Sequence, residues 1–409
     1  MDSQITTDSV RLLMEKNRRM TDTSQFTVPS GGLYPFQWLW DSCFHAIVLA
    51  HFDIGLAKEE MRAVLARPLP SGMLPHMIYW TREGDLVPNW GRESRGDTIN
   101  SSWQTPGSSS LTQPPVVAQT VLRLYEADGD EQFALDTYEA LKRHFEYLHH
   151  DRTFNNDALV YIINPDESGE DNSPRFDELL GLSFLQTADQ SLDRRIDLMK
   201  KNAVCDFKAK TCMRHHFGVA DVSFNVLYAE DLLALSELAY VLNNRVDSDR
   251  FEKRAKQVQK EIKEQLKFGD VYLSYDHKNK KPIEVLTWDI FMPLYGGLLS
   301  HQDAKDLVNN YLLNEKLFLS EFGIVSTAKT EPSYDPESGF WRGPIWLAPH
   351  WFIYKGLQRY GFKAEAELIK EKTLTLLAKS GFREHYHPVT GEGLGAEDFT
   401  WGALVVDMN

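Results

Sequence analysis

The sequence has few cysteines and no long apolar run, and each absence excludes a class of protein. Cys43, Cys205 and Cys212 are the cysteines among 409 residues. Because three cysteines are too few for a full disulfide framework, a reducing compartment is favoured. No apolar segment reaches the roughly 18 residues that suggest a membrane helix. Residues 1–30 are polar and lack the apolar stretch of a signal peptide. We therefore expect a cytoplasmic protein.

Positive charge is also scarce in this chain. The 44 Lys and Arg residues are outnumbered by 59 Asp and Glu residues, which gives a net charge of −15. This balance disfavours nucleic acid and anionic membranes as partners. The sequence contains neither a Gly-rich phosphate-binding loop nor a nucleophile elbow of the Gly-x-Ser-x-Gly type.

Histidine pairs are the main indication of a metal. His215 and His216 are adjacent, and His385 and His387 are separated by one residue. No carboxylate–histidine spacing on one helix accompanies them, and the cysteines do not form two pairs. We predict no metal site and no cofactor, and metal catalysis stays an alternative.

Helical periodicity dominates the rest of the chain. The apolar residues Phe251, Ala255, Val258, Ile262 and Leu266 are spaced four, three, four and four positions apart, which predicts a helix with one buried stripe. Similar patterns predict helical hairpins along the chain. The predicted pairs are 40–50 with 58–66, 116–125 with 131–149, 225–244 with 249–267, 289–299 with 302–313, and 345–360 with 363–380.

Long loops rich in Gly, Pro and aromatic residues alternate with these hairpins. Five or six hairpins with their loops at one end predict an all-α protein, an α/α toroid that encloses a cleft. No Ser- or Gly-rich boundary divides the chain, so residues 1–409 are expected to form a single domain.

The loop 164–177 is the most informative segment. It holds five carboxylates in fourteen residues, and its Gly and Pro residues prevent a helix from continuing. Such a loop is typical of a cation site or of a catalytic carboxyl group. A second acidic loop at 382–388 contains Glu384. Two such loops in aromatic surroundings suggest glycoside chemistry.

Cleavage of a glycosidic bond with inversion needs one carboxylic acid for the leaving oxygen and one carboxylate for the attacking water. Asp171 has Glu167 and Glu170 as neighbours, and nearby carboxylates favour its protonated form. Glu384 lies in the other loop, as a base on the opposite wall would. A surface acidic turn and a calcium loop are the alternatives for the first loop.

Sugar sites also need flat apolar faces and planar polar groups. The segments 34–41 and 340–346 supply both, and Gln113 precedes two prolines. The alternatives are that the tryptophans belong to the core and that Gln113 is only a buried amide. The predicted substrate-binding residues are Tyr34, Trp38, Trp40, Asp41, Gln113, Trp341, Arg342 and Trp346.

Taken together, the motifs resemble glycoside hydrolase family 63, and in particular its short members of the bacterial glucosylglycerate and mannosylglycerate hydrolase type. The resemblance spans most of the chain in the expected order. It rests on Tyr34–Ser42, Gly72–His76, Gln113–Pro115, Glu167–Pro174, Phe340–Trp346, Glu384–Glu392 and Phe399–Trp401.

The resemblance implies an (α/α)6 barrel and inverting hydrolysis of a terminal α-linked glucose or mannose, without an obligatory cofactor. The partner is then a small carbohydrate, such as glucosylglycerate, mannosylglycerate or an α-glucosyl disaccharide. On matching positions, Asp171 is similar to the general acid and Glu384 to the general base. The aromatic and polar residues predicted above, Arg342 apart, would line the subsite of the released sugar.

Some positions depart from the glycerate-specific pattern. The resemblance leads us to expect an Arg and a Tyr after the acid loop, where the chain has Gln186 and Leu192, and a Tyr where it has Phe340. Glu397 and Asp398 would repel a carboxylate if they faced the cleft. A neutral leaving group therefore fits these residues at least as well as glycerate.

Two other functional classes are compatible with the same architecture. An α/α-toroid epimerase or lyase would use His215, His216 and His385 for proton transfer. A sugar-binding protein without catalysis would use the aromatic residues alone.

Overall fold

Helices form most of the regular structure in the computed structural model, which describes residues 7–80, 103–105, 107–154, 157–183, 188–337 and 339–409. The α-helices are α1 (Thr7–Asn17), α2 (Leu39–Leu49), α3 (Ile54–Leu65), α4 (Val117–Asp128), α5 (Glu131–Asp151), α6 (Ala188–Val204), α7 (Ala209–His215), α8 (Val222–Val241), α9 (Arg245–Gln265), α10 (Met292–Tyr295), α11 (His301–Leu307), α12 (Leu347–Arg359) and α13 (Lys363–Ser380).

The strands are short and pair in small antiparallel sheets. The pairs are β1 (Arg18–Met20) with β2 (Gln25–Thr27), β3 (Gln37–Trp38) with β4 (Met77–Ile78), β6 (Lys267–Phe268) with β7 (Val271–Tyr272), and β10 (Arg383–Tyr386) with β11 (Gly393–Glu397). A three-stranded sheet has the order β5 (Val219–Ala220), β8 (Tyr275–Asp276) and β9 (Lys281–Pro282).

Four of the predicted helix pairs are confirmed: α2 with α3, α4 with α5, α8 with α9, and α12 with α13. Local signals explain where three of the four second helices begin. The side chains of Asp53, Asp130 and Asn244 each accept a backbone N–H from the first turn of the helix that follows, which satisfies a donor that the helix leaves unpaired. Gly129 closes α4 in the left-handed region.

The apolar stripe predicted for α9 is also confirmed. Phe251, Ala255, Val258 and Ile262 are fully buried. They belong to one large hydrophobic cluster that runs through α2, α4, α8 and α12. This continuous core fixes the helices that carry the loops.

The predicted pair 289–299 with 302–313 is less regular than expected. The first member is a 3₁₀ segment, Trp288–Phe291, followed by the short helix α10. The second is α11, which continues as the π-helical turn Val308–Leu312. Gly297 has a φ of 61°, a conformation that ends a helix rather than extending it.

Two of the three cysteines form a pair that the sequence did not predict. A disulfide joins Cys205 and Cys212 where the chain turns from α6 into α7, and Cys43 is a buried free thiol. Neither α6 nor α7 was predicted from the sequence. Without them, the proximity of these two cysteines could not be foreseen.

Contacts between the two ends of the chain position one side of the cleft. Thr400 donates its backbone N–H to the carbonyl oxygen of Pro29 over 3.0 Å, and Asn17 donates to the carbonyl of Asp398 over 2.7 Å. These bonds hold the β10–β11 hairpin against the loop that carries Tyr34. None of the helices in the described ranges is long and apolar enough to cross a membrane.

Candidate active site

A cleft between the loops contains most of the predicted site residues. Its empty volume is about 610 Å³, part of which is open to solvent. Tyr34, Trp38, Trp40, Asp41, Gln113, Asp171, Trp341, Trp346 and Glu384 line it, together with Pro29, His76, Asp166, Gly169, Phe340, Phe399 and Trp401. The structure therefore brings both acidic loops and both aromatic segments to one place.

Glu384 forms one wall of the cleft. Its Oε1 accepts a hydrogen bond from the Tyr34 hydroxyl over 2.5 Å, and its Oε2 accepts the backbone N–H of Ala396 over 2.8 Å. Burial raises the pKa of Glu384 to about 7, the nearby Asp171 also raises it, and the two hydrogen bonds oppose the rise. Near neutral pH this carboxyl group can take up and release a proton.

An irregularity in the hairpin makes room for the Glu384 carboxylate. The register between β10 and β11 shifts between Arg383 and His385, so β11 has one extra residue there. Gly395 has a φ of 66°, and a Cβ atom at this position would lie 2.3 Å from Glu384 Oε2. Only glycine fits this position, which the sequence alone does not reveal.

Asp171 lines the same cleft from the loop 164–177. Gly169 gives this loop its close approach to the aromatic floor, because a Cβ atom there would lie 2.3 Å from the Trp40 ring. A carboxylate oxygen of Asp171 lies 2.5 Å from a guanidinium nitrogen of Arg195 on α6. The same nitrogen lies 2.8 Å from Asp166. One buried arginine thus connects two carboxylates that face the cleft.

The protonation of Asp171 depends on different groups from those expected. Burial raises its pKa, the charge of Arg195 lowers it, and the charge of Asp166 raises it. The expected neighbours Glu167 and Glu170 are not among the largest causes of the shift, and each is paired with its own arginine. The groups that surround Asp171 therefore favour opposite protonation states: Arg195 and a backbone hydrogen bond favour the carboxylate, whereas burial and Asp166 favour the protonated form.

Glu167 anchors the start of the loop. Both of its oxygens lie 2.6 Å from the guanidinium of Arg152, and they also accept the backbone N–H groups of Thr112 and Ile163. All of these atoms are buried. Glu167 is therefore a structural residue of the loop.

Glu170 belongs to a second buried cluster. Arg175 makes two bonds of 3.1 Å to Glu170, and it lies 2.9 Å from Asp221 and 3.1 Å from Asp289. One guanidinium therefore serves three carboxyl groups. Burial raises the pKa of Glu170 and of Asp289, which reduces the negative charge that this cluster carries.

Two polar contacts fasten the acid loop to the segment that carries Trp341. Asn172 accepts the backbone N–H of Trp341 over 3.0 Å and donates to the carbonyl of Gly339 over 3.2 Å. Arg342 forms a two-pronged ion pair with Asp177, with distances of 2.7 and 2.5 Å. The structure thus places the Arg342 guanidinium in a buried ion pair, and this predicted binding residue does not line the cleft.

Aromatic rings form the floor and one side of the cleft. The rings of Trp341 and Trp346 stack with centroids 4.0 Å apart. Trp401 donates its indole N–H to Asp41 over 2.6 Å, and its ring meets that of Trp40 edge-on. Burial raises the pKa of Asp41 to about 6, while His45 and the Trp401 hydrogen bond lower it.

Several lining residues were missed among the predicted sites, although a signal for five of them exists. The motifs that carry the family resemblance contain His76, Gly169, Phe340, Phe399 and Trp401. Arg195 pairs with Asp171 without itself lining the cleft. An arginine was expected after the acid loop, but it was aligned with Gln186, because α6 was not predicted and the position of Arg195 relative to Asp171 could not be read from the sequence.

The acidic residues that argued against an anionic ligand do not face the cleft. Glu397 pairs with Arg383 and its side chain is 77% exposed. Asp398 pairs with Lys16 at the surface. Neither lines the cleft, so their charges give little reason to exclude a carboxylate. Phe340 does line it, whereas Gln186 lies outside the described residues.

The histidines of the alternative hypotheses are spread over the molecule. His215 and His216 line a separate cavity beside α6, and His385 stacks on Trp346. Among the described residues, no group of three or more His, Cys, Asp or Glu side chains could hold a metal ion. The cleft itself is lined by four carboxyl groups, those of Asp41, Asp166, Asp171 and Glu384.

Comparisons with known proteins point to glycoside hydrolases. A family model for the mannosylglycerate hydrolase MGH1-like glycoside hydrolase domain matches residues 34–402. The mannosylglycerate hydrolase of Thermus thermophilus is 32% identical, over 96% of this chain and 97% of its own length. The glucosylglycerate hydrolase of Mycolicibacterium hassiacum is 27% identical, over 95% of this chain and 94% of its own.

Solved structures give the same picture. The crystal structure of a GH63 mannosylglycerate hydrolase from Thermus thermophilus in complex with Tris and D-glycerate matches with a TM-score of 0.86 at 30% identity, covering 98% of both chains. Neutral trehalase Nth1 from Saccharomyces cerevisiae matches with a TM-score of 0.63 at 15% identity, over 100% of this chain and 81% of that one. The second likeness concerns the fold alone.

Replacement of Arg175 by Met tests the buried cluster beneath the acid loop. The change leaves Glu170, Asp221 and Asp289 buried without their counter-charge, and we expect a loss of about 3–5 kcal/mol in the free energy of unfolding. The loss should be larger at about pH 8 than at about pH 5. Carboxyl groups whose folded pKa is raised stabilise the fold while protonated and lose that contribution as pH rises.

Urea unfolding at both pH values measures this effect. The matched control is Arg359→Met, whose ion pair with Glu230 is 45% exposed on the arginine side and should contribute about 1 kcal/mol or less. Equal stability losses in the two variants, or a loss at Arg175 that does not change with pH, would contradict the account of the cluster.

Proposed function

The chain belongs to the mannosylglycerate hydrolase MGH1-like glycoside hydrolase family and is a glycoside hydrolase, and from its cleft we propose that it hydrolyses α-hexosides of glycerate. Asp171 is the proposed general acid and Glu384 the proposed general base, and the reaction inverts the anomeric carbon. The observation that carries the choice of leaving group is the pairing of Arg195 with Asp171.

Glu384 suits the role of base by its hydrogen bonds. The hydroxyl of Tyr34 and the backbone N–H of Ala396 orient both carboxylate oxygens, so that the group can take a proton from a water molecule. That water attacks the anomeric carbon on the face opposite the leaving group. A pKa of about 7 lets the group accept a proton and return it to solvent at neutral pH.

Asp171 suits the role of acid only when it carries a proton. Its proton passes to the glycosidic oxygen while the bond to the anomeric carbon breaks, and the leaving group departs as an alcohol. In the free cleft, Arg195 favours the ionised form of Asp171. A carboxylate on the leaving group can replace Asp171 as the partner of Arg195, and Asp171 is then free to be protonated.

Glycerate supplies such a carboxylate on a small alcohol. Two relatives are named for the hydrolysis of mannosylglycerate and glucosylglycerate, and one solved relative contains D-glycerate. The stacked Trp341 and Trp346 and the Asp41–Trp401 pair offer the flat and polar surfaces that suit a hexose. Both mannose and glucose fit this description.

The proposed fold is a single (α/α)6 barrel over residues 1–409. Support comes from the consecutive helix pairs, from the continuous core that joins them, and from the likeness to family 63 structures over nearly the whole chain. In such a barrel, the loops at one end enclose the cleft. That agrees with the segments that line it.

Arg195→Gln tests the proposed leaving group. Hydrolysis of mannosylglycerate and glucosylglycerate should lose roughly ten- to a hundred-fold in kcat/KM, as expected when a hydrogen bond to a charged group is removed. The corresponding neutral glycosides of glycerol should change little, since they do not need the guanidinium. Released hexose is the measured quantity for all four substrates.

The matched control for this series is Lys200→Gln, which removes one positive charge from an exposed position of the same helix. It should leave all four rates unchanged. An equal loss on charged and neutral substrates in Arg195→Gln would mean that the arginine only supports the loop. If the wild type released no hexose from glucosylglycerate or from mannosylglycerate, the proposed substrate class would be wrong.

Asp171→Asn tests the acid. Natural substrates should be hydrolysed roughly 10²- to 10⁴-fold more slowly, because the leaving oxygen is no longer protonated. An α-glycosyl fluoride needs no such proton, so Asp171→Asn should retain far more activity on the fluoride than on the glycerate substrate. Glu384→Gln should lose activity on both. Unimpaired hydrolysis of natural substrates by Asp171→Asn would disprove the assignment.

A further inference from the structure

A second cavity lies beside α6, away from the cleft, and it is unusually rich in positive charge. Arg194 and Lys201 of α6 line it, together with Lys278 and the adjacent His215 and His216. Its empty volume is about 830 Å³. These side chains line one cavity although the chain as a whole has a net charge of −15.

The cations of this basic cavity lack acidic partners in the described part of the chain. No carboxylate among the described residues forms an ion pair with Arg194, Lys201 or Lys278, whereas the nearby Lys281 pairs with Glu178 at 2.6 Å. Asp197 is the one carboxylate that lines the cavity among those residues, and it lies 3.5 Å from Lys200. The cavity therefore holds positive charge that its own described walls do not neutralise.

We propose that the basic cavity is a binding site for a small phosphate-bearing anion. Lysine ammonium groups act as point charges that suit phosphate, and guanidinium and imidazole groups add directional donors. Several separate cations around one cavity suit a dianion better than a carboxylate. A single carboxylate can be bound by one guanidinium group through two parallel hydrogen bonds.

The shape of the cavity and the charge of the surrounding surface favour a small molecule. Leu198 and Phe217 are buried and give the cavity an apolar floor, which suits the carbon skeleton of a phosphorylated metabolite. A long polyanion would have to lie across the remaining acidic surface as well. The net charge of −15 opposes that arrangement.

The pKa of one of the two histidines reflects the same positive charge. The pKa of His216 is lowered by burial first, and then by the charges of Lys201 and His215. A bound anion would offset those charges. This site is distinct from the cleft, because Arg194 faces the cavity whereas the next residue, Arg195, holds Asp166 and Asp171; successive residues of a helix point in different directions.

Calorimetric titration with inorganic phosphate at constant ionic strength tests the proposal on the full-length protein. The wild type should bind phosphate saturably, and Lys201→Gln combined with Lys278→Gln should weaken binding roughly tenfold or more. The matched control, Lys200→Gln combined with Lys281→Gln, removes the same charge from the same helix and hairpin, and should bind as the wild type does.

A parallel titration with a hexose phosphate distinguishes the source of the anion. Tighter binding than that of inorganic phosphate assigns the site to a phosphorylated sugar, and equal binding assigns it to free phosphate. Both results support the site. The absence of saturable binding in the wild type, or equal weakening in the two double variants, would overturn it. Neither result depends on glycosidase activity, so the test is independent of the proposed reaction.

Discussion

Buried pairing of guanidinium groups with the carboxylates of the loop 164–177 is the interaction on which the rest of the site depends. A buried ion is costly unless it is paired and hydrogen-bonded, so each arginine fixes the position of its partner. Three of the pairs are enclosed, and the fourth joins the cleft. The pairs are Glu167–Arg152, Glu170–Arg175, Asp177–Arg342 and Asp171–Arg195.

The pairs differ in whether a ligand can reach them, and this difference distinguishes the structural pairs from the pair with a proposed catalytic role. Substrate cannot reach the enclosed pairs. They hold the loop in one conformation, and an active site needs such support for the residues that contact the substrate. Asp171 has a more exposed side chain than its counterparts Glu167 and Glu170, so a ligand can reach it. If the proposed acid, Asp171, shares Arg195 with the carboxylate of the leaving group, the charge of the substrate influences whether Asp171 is protonated.

Much of the scaffold and about half of the site follow from the sequence, for physical reasons. Helix pairs with a periodic apolar stripe, such as α9, are local features, and the acidic loops reveal their chemistry by composition. Contacts between residues that are distant in the sequence form only on folding, and no local pattern indicates them. The sequence cannot indicate that Arg195 reaches Asp171, that Gly395 makes room for Glu384, or that Arg342 turns away from the cleft to Asp177.

The configuration of the first product tests the central claim, that Asp171 and Glu384 act from opposite faces of the sugar. Proton NMR of a fresh reaction with glucosylglycerate or mannosylglycerate distinguishes the two anomers of the released hexose before they equilibrate. The account predicts that the β-anomer appears first, because water attacks opposite the α-linked leaving group. Initial release of the α-anomer would indicate a covalent intermediate and would contradict the assignment of Glu384 as a base for water.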